Sequence, residues 1–238
     1  MPSGCIMGLI GENGAGKSTT IKLILDMLHK DSGTIEILGR DNQDNLQLIK
    51  EDIGVVLDEV GIPECLTAKQ VGKVMKYTFR NWNSEKYAEL LKMKLGFAVA
   101  LSHESKLLLL DEATSGLDPV IRDEIVEMLY DFTREENHSI LISSHIVSDL
   151  EKLCDYVAFL HKGKLILCEE KDRLLDEYGI IHCTAEQLKD YDSSAIKYKK
   201  ETPYGIEAIV LRDAVPKNTY VSPISIEELF VITVKETK

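Results

Sequence analysis

Long apolar runs are missing from this sequence of 238 residues; none approaches the roughly eighteen needed to cross a bilayer. The opening MPSGCIMGLIG has neither a basic leader nor a long apolar core, so no signal peptide is expected. Any work at a membrane is then expected to pass through a partner. Cysteine is sparse. Cys5, Cys65, Cys154, Cys168 and Cys183 are odd in number, scattered, and never spaced as CxxC. That argues against a disulfide framework and a zinc site, and suits a reducing compartment. Positive charge is also short. The 28 Lys and Arg residues face 40 Asp and Glu, a formal charge of −12, which disfavours non-specific nucleic-acid binding. There is no internal repeat, no low-complexity segment and no NKxD motif for reading a guanine base. What remains is a 44% apolar content, enough for one large domain or a domain with an appendage.

Periodicity divides the chain into short elements. CIMGLIG (5–11) is an apolar run closed by glycine, as in a buried strand. In KSTTIKLILDML (17–28), Ile21, Ile24, Leu25 and Leu28 fall at helical spacing. TIEIL (34–38) alternates between glycines and reads as a strand, as does IGVVL (53–57). Residues 67–82 and 84–91 look helical, and 106–110 form a buried strand. Pro119 opens a helix, with Asp118 placed to cap it. A strand over 139–143 and a helix over 146–153 follow. Then come runs at 156–160 and 164–168 around Lys162–Gly163, a hairpin pattern. Strands alternating with helices indicate an α/β fold with a mostly parallel sheet. Composition shifts after Tyr178. A β-like run at 206–211 and a last helix from Ser225 suggest a small α+β appendage over 179–238, behind a main domain over 1–178.

GENGAGKST (11–19) fits GxxxxGK[ST] between an expected strand and an expected helix. Glycines let backbone N–H groups curl around phosphate oxygens, and the helix points its positive end at them. Gly11, Glu12, Asn13, Gly14, Ala15, Gly16, Lys17, Ser18 and Thr19 are thus candidate nucleotide-binding residues. Lys17 supplies charge for the β/γ-phosphates, and the Ser18 hydroxyl suits Mg²⁺. The bland alternative is a glycine-rich turn with a solvated lysine. LLLLDEATSGLD (107–118) then ends a buried run on two acids. Strand-end solvation accounts easily for one. With a phosphate loop present, Asp111 is expected to hold the metal through water, and Glu112 to polarise an attacking water.

GENGAGKSTT, LLLLDEATSGLDP and ILISSHIVSDLE, in that order, resemble the ATP-binding subunits of ABC transporters over about residues 4–178. Within that family the set looks closest to bacterial single-domain ATPases of the exporter type, in antibiotic-peptide or YtrB-like systems. The resemblance implies a P-loop NTPase with an ABC-type ATPase core, using ATP and Mg²⁺. It makes Gly11–Ser18 the Walker A loop, Asp111 the Walker B aspartate, Glu112 the catalytic glutamate and His145 the switch histidine. Ser115, Gly116, Leu117 and Asp118 become the D-loop that meets a second subunit. It implies a homodimer or paired ATPase subunit, an integral membrane transporter subunit in trans, and a place on the cytoplasmic face of the cell membrane. It offers no nucleic-acid partner. A nucleotide-binding regulatory or vestigial module without turnover is the alternative.

Three departures stand out. No LSGGQ-type signature is present; YAELL resembles the helix well before it and KMKLGFAVALSHESK the segment after it. Several helical turns are missing between Leu91 and Met93, with Lys92 fitting either side. Strands that precede Walker A in the family are absent, with the aromatic residue that stacks on adenine. Asp58 stands where the family often has glutamine, and is a further candidate contact for the metal or for the coupling surface. Either a segment is omitted and the numbering closed over it, or the protein is shortened and cannot cap ATP in trans. The intact hydrolytic residues favour omission. The apolar period also allows one continuous helix from Tyr87 through Ala100.

Overall fold

β1 (Ile6–Gly11) is buried along its whole length because each of its residues faces packed structure on both sides of a sheet. The computed structural model describes residues 1–43, 46–58, 61–63, 65–92 and 94–236. After β1 the chain turns through the glycine loop into α1 (Lys17–Ile24). The expected helix to residue 28 stops early. Ile21, Ile24 and Leu25 pack on Ile37, Ile53, Leu107 and Leu109, whereas Asp26 takes a left-handed φ of 55° and Leu28 stays exposed.

The strand expected over 34–38 shrinks to β2 (Glu36–Ile37), paired with β3 (Arg40–Asp41). Leu38 and Gly39, at φ of 50° and 76°, turn the chain there. α2 (Leu46–Glu51) and β4 (Ile53–Val56) follow. α3 (Ala68–Thr78) starts at a Thr67–Gln70 capping box and ends before the expected residue 82, where Phe79 is extended. α4 (Ser84–Leu90) is capped by Asn83. α5 (Leu95–Ala100) starts after Lys94, which is extended at φ −152° and ψ 134°. The continuous helix from Tyr87 through Ala100 is therefore broken in two, and Met93 lies outside the described residues.

β5 (Leu107–Asp111) is buried throughout. α6 (Pro119–Thr133) begins as expected, with Asp118 Oδ1 accepting from the N–H groups of Val120 and Ile121. β6 (Ser139–Ser144), α7 (Val147–Leu153), β7 (Tyr156–His161) and β8 (Lys164–Glu170) complete the main sheet. Its order is β4-β5-β6-β1-β7-β8, parallel except for β8. α8 (Lys171–Glu177) leads into a second, antiparallel sheet. That sheet contains β9 (Tyr178–Cys183), β10 (Ile196–Thr202) and β11 (Gly205–Leu211) in the order β10-β11-β9. The last helix, α9 (Ile226–Glu236), sends Ile226, Leu229 and Ile232 into the same cluster as Phe97, Leu108 and Phe159. Among the described residues, no helix is long and apolar enough to cross a membrane.

Candidate functional site

Three neighbouring parallel strands, β5, β6 and β1, end side by side, so their C-terminal loops meet although they are far apart in sequence. Such strand ends are where open α/β sheets bind ligands. β1 ends on Gly11. A Cβ there would lie 2.7 Å from the Leu160 carbonyl oxygen and 2.8 Å from the Ala15 Cβ, so only glycine fits. Gly14 and Gly16 take φ of 81° and 110°, the conformations that let successive backbone N–H groups converge. Lys17 then folds back over the loop. Its Nζ donates to the Gly11 carbonyl at 2.7 Å and approaches the Glu12 carbonyl at 3.4 Å.

The two acids of β5 separate into different environments. Asp111 is 3% exposed, and its Oδ1 accepts from Ser18 Oγ at 3.1 Å and from Ser143 Oγ at 2.5 Å. Ser143 was not among the expected site residues. Its role comes from register, since β5 and β6 pair Asp111 with Ser143. Glu112 sits at a left-handed φ of 49°, uncommon outside glycine and frequent at functional turns. Its Oε1 lies 3.7 Å from Lys17 Nζ. Its Oε2 accepts from the His145 backbone N–H at 3.2 Å and lies 2.6 Å from His145 Nδ1. Lys94 Nζ donates to the Ala113 carbonyl at 3.0 Å, bracing this turn from the start of α5.

Glu12, Asn13, Gly14, Gly16, Lys17, Ser18, Thr19, Asp58, Glu112, Ser115 and His145 line one cleft of about 370 Å³. Gly11, Ala15 and Asp111 are buried behind it. The 115–118 loop divides its work. Ser115 lines the cleft, Gly116 turns at φ 72°, Leu117 packs on the core, and Asp118 caps α6. Asp58 reaches the cleft from the loop after β4. A larger hollow of about 620 Å³, lined by Leu90, Leu101, Met128 and Phe132 among others, shares no residue with the phosphate loop.

A family model described as ABC transporter matches residues 1–115. The lantibiotic transport ATP-binding protein SrtF of Streptococcus pyogenes is 34% identical over 188 residues, which take in 72% of this chain and 82% of that protein. Seventy-two per cent of 238 residues is about 171, so about 17 of those 188 aligned positions have no counterpart in this chain. The bacitracin transport ATP-binding protein BcrA of Bacillus licheniformis is 36% identical over 183 residues, 68% of this chain and 60% of that protein. The chain thus spans about three fifths of the length of the bacitracin relatives it matches. A solved structure titled as the ATP binding subunit of an ABC transporter superposes with a TM-score of 0.65 at 25% identity. That superposition covers 72% of this chain and 81% of the other.

Proposed function

Because the chain belongs to the ABC transporter family of ATP-binding proteins, we propose that it binds and hydrolyses ATP to power a separate membrane-spanning exporter. One observation carries the reading. The Glu112 carboxylate is held between Lys17 and His145, beside a part-buried Ser18–Asp111 pair. A glycine loop, a lysine, a metal-suited hydroxyl–carboxylate pair and a poised base are the parts that phosphoanhydride hydrolysis requires.

The triphosphate lies along residues 11–19, its charge met by backbone N–H groups and by Lys17. Ser18 Oγ and the Asp111 carboxylate are hard oxygen donors that fit Mg²⁺, an ion that keeps several waters and takes phosphate oxygens. Asp58 is placed to join through water. When bound, the ion supplies positive charge to the β- and γ-phosphates. A phosphate arriving at Lys17 draws its Nζ from the Gly11 carbonyl and weakens its hold on Glu112. Glu112 then takes a proton from the attacking water as the water oxygen bonds to the γ-phosphorus and the bond to the β-phosphate oxygen breaks. His145 keeps the carboxylate aimed.

The partners are a membrane-embedded transporter subunit and a second ATPase subunit meeting the 115–118 loop, on the cytoplasmic face of the membrane. Relatives named for bacitracin and lantibiotic transport support an exporter. The alternative is a nucleotide-binding module without productive turnover. Glu112→Gln separates the two. The first reading expects hydrolysis to fall at least about 100-fold with Mg·ATP binding retained. It also expects ATP to drive the variant into a dimer by light scattering. A persistent monomer in a protein that binds but never turns over ATP supports the second. Hydrolysis at the parental rate would show that Glu112 is not the base that activates the water.

A further inference from the structure

Glu12 presents a physical problem at a phosphate site. It is an acid in the second position of a loop that must accept a polyanion, and its side chain is 41% exposed at the cleft. An acid there opposes nucleotide charge unless it is neutralised or turned aside. His161, the last residue of β7, stands against it. The imidazole Nδ1 lies 2.7 Å from Glu12 Oε1, and the histidine is only 7% exposed. The approach is of ion-pair length, with an angle outside that of a hydrogen bond, so Nδ1 has no hydrogen-bond partner among the described residues.

The arrangement is built from below. β1 and β7 are paired so that Gly11 sits opposite Leu160, which sets His161 beside Glu12. The β7–β8 turn, with Lys162 and Gly163 at φ of 47° and 76°, tucks under the loop. There the Gly163 N–H donates to the Ala15 carbonyl at 2.9 Å. A Cβ on Gly16 would stand 3.7 Å from the Gly163 Cα, so hairpin and phosphate loop are in close contact.

We propose that His161 is a positioning residue of the nucleotide site: it draws the Glu12 carboxylate towards the β7–β8 hairpin and away from the space the phosphates enter. The inference rests on the nucleotide-binding reading above and adds a residue outside its motifs. The hairpin supplies the rigid support and His161 the charge control. Removing the imidazole frees a carboxylate next to the triphosphate, and removing that carboxylate as well takes away the reason for the imidazole.

The test is a double-mutant cycle on Mg·ATP affinity, read by calorimetric titration of the full chain together with steady-state KM and kcat. His161→Leu should raise Kd and KM about tenfold and leave kcat within about twofold. Adding Glu12→Gln to His161→Leu should return Kd to within about twofold of Glu12→Gln alone. A double variant as weak as His161→Leu overturns the proposal, because lost packing cannot be repaired by neutralising Glu12. Should His161→Leu fail to fold, the imidazole nitrogen shifts of the parental protein decide. A proton on Nδ1 that responds to Glu12→Gln supports the pairing, and an unprotonated Nδ1 overturns it. Parental protein that binds no Mg·ATP takes down the nucleotide site and this proposal together. Parental binding with no coupling between residues 12 and 161 takes down this proposal alone.

Discussion

At the scale of single residues, Ser143 and His103 carry the sharpest consequences. Ser143 supplies one of two hydroxyls to the buried Asp111 carboxylate. Hydrogen bonds to a charged group are worth about 1.5–3 kcal/mol. Ser143→Ala should therefore lower stability by an amount of that order and raise the Mg²⁺ needed for half-maximal nucleotide binding several-fold. A Mg²⁺ titration matching the parent would contradict the role. His103 is 2% exposed and stacked on Phe79 at 3.9 Å, and burial pushes its pKa down to about 4. Unfolded, it takes its proton near 6.5. Between those values the unfolded chain binds the extra proton. Stability is then fully present above about pH 6.5, falls as pH drops, and has lost up to about 3 kcal/mol from this group below pH 4. His103→Phe keeps the stack and should flatten that part of the stability curve in denaturant titrations between pH 6.5 and 4. An equally steep curve would assign the acid sensitivity elsewhere. Lys17, Ser18, Asp111 and Glu112 were legible in the sequence because each belongs to a contiguous motif. Ser143 was not, because its contact with Asp111 spans 32 positions and depends on strand register.

At the scale of elements, caps and close contacts decide boundaries that periodicity leaves open. α6 begins where Pro119 and Asp118 indicate, and this helix start is the easiest to test. Asp118→Ala removes the acceptor for two backbone N–H groups and should cost about 1 kcal/mol in chemical denaturation, with much of it restored by Asp118→Asn. No change in either variant would show that the cap contributes nothing. The end of α1 was less legible. Leu28 continues the helical period, yet the helix stops at Ile24 while Leu28 remains exposed. The break between α4 and α5 was equally hidden, because the apolar spacing from Tyr87 to Ala100 is compatible with one rod. Lys94 instead leaves the helical conformation, and its ammonium group supports the loop behind Glu112.

At the scale of the whole molecule, a parallel sheet turns distant motifs into neighbours. Residues near 11, 111 and 145 meet because β1, β6 and β5 lie side by side, an adjacency that alternating strands and helices suggested but could not order. The C-terminal residues are tied to the same body. Ile226 N–H donates to Glu151 Oε2 on α7, the helix that follows His145, and Phe230 meets Phe159 edge-on at 5.3 Å. No local pattern announced that contact, because α9 reaches its partners only through the folded core. For the proposed function, the strand ends of the assembled sheet have to bind a magnesium nucleotide through Lys17. Calorimetric titration of folded protein with Mg·ATP tests this most directly. Saturable heat well below millimolar nucleotide, weakened at least about tenfold in Lys17→Ala, is the predicted result. Absence of binding heat at millimolar Mg·ATP, or a Lys17→Ala variant that binds as the parent does, would contradict it.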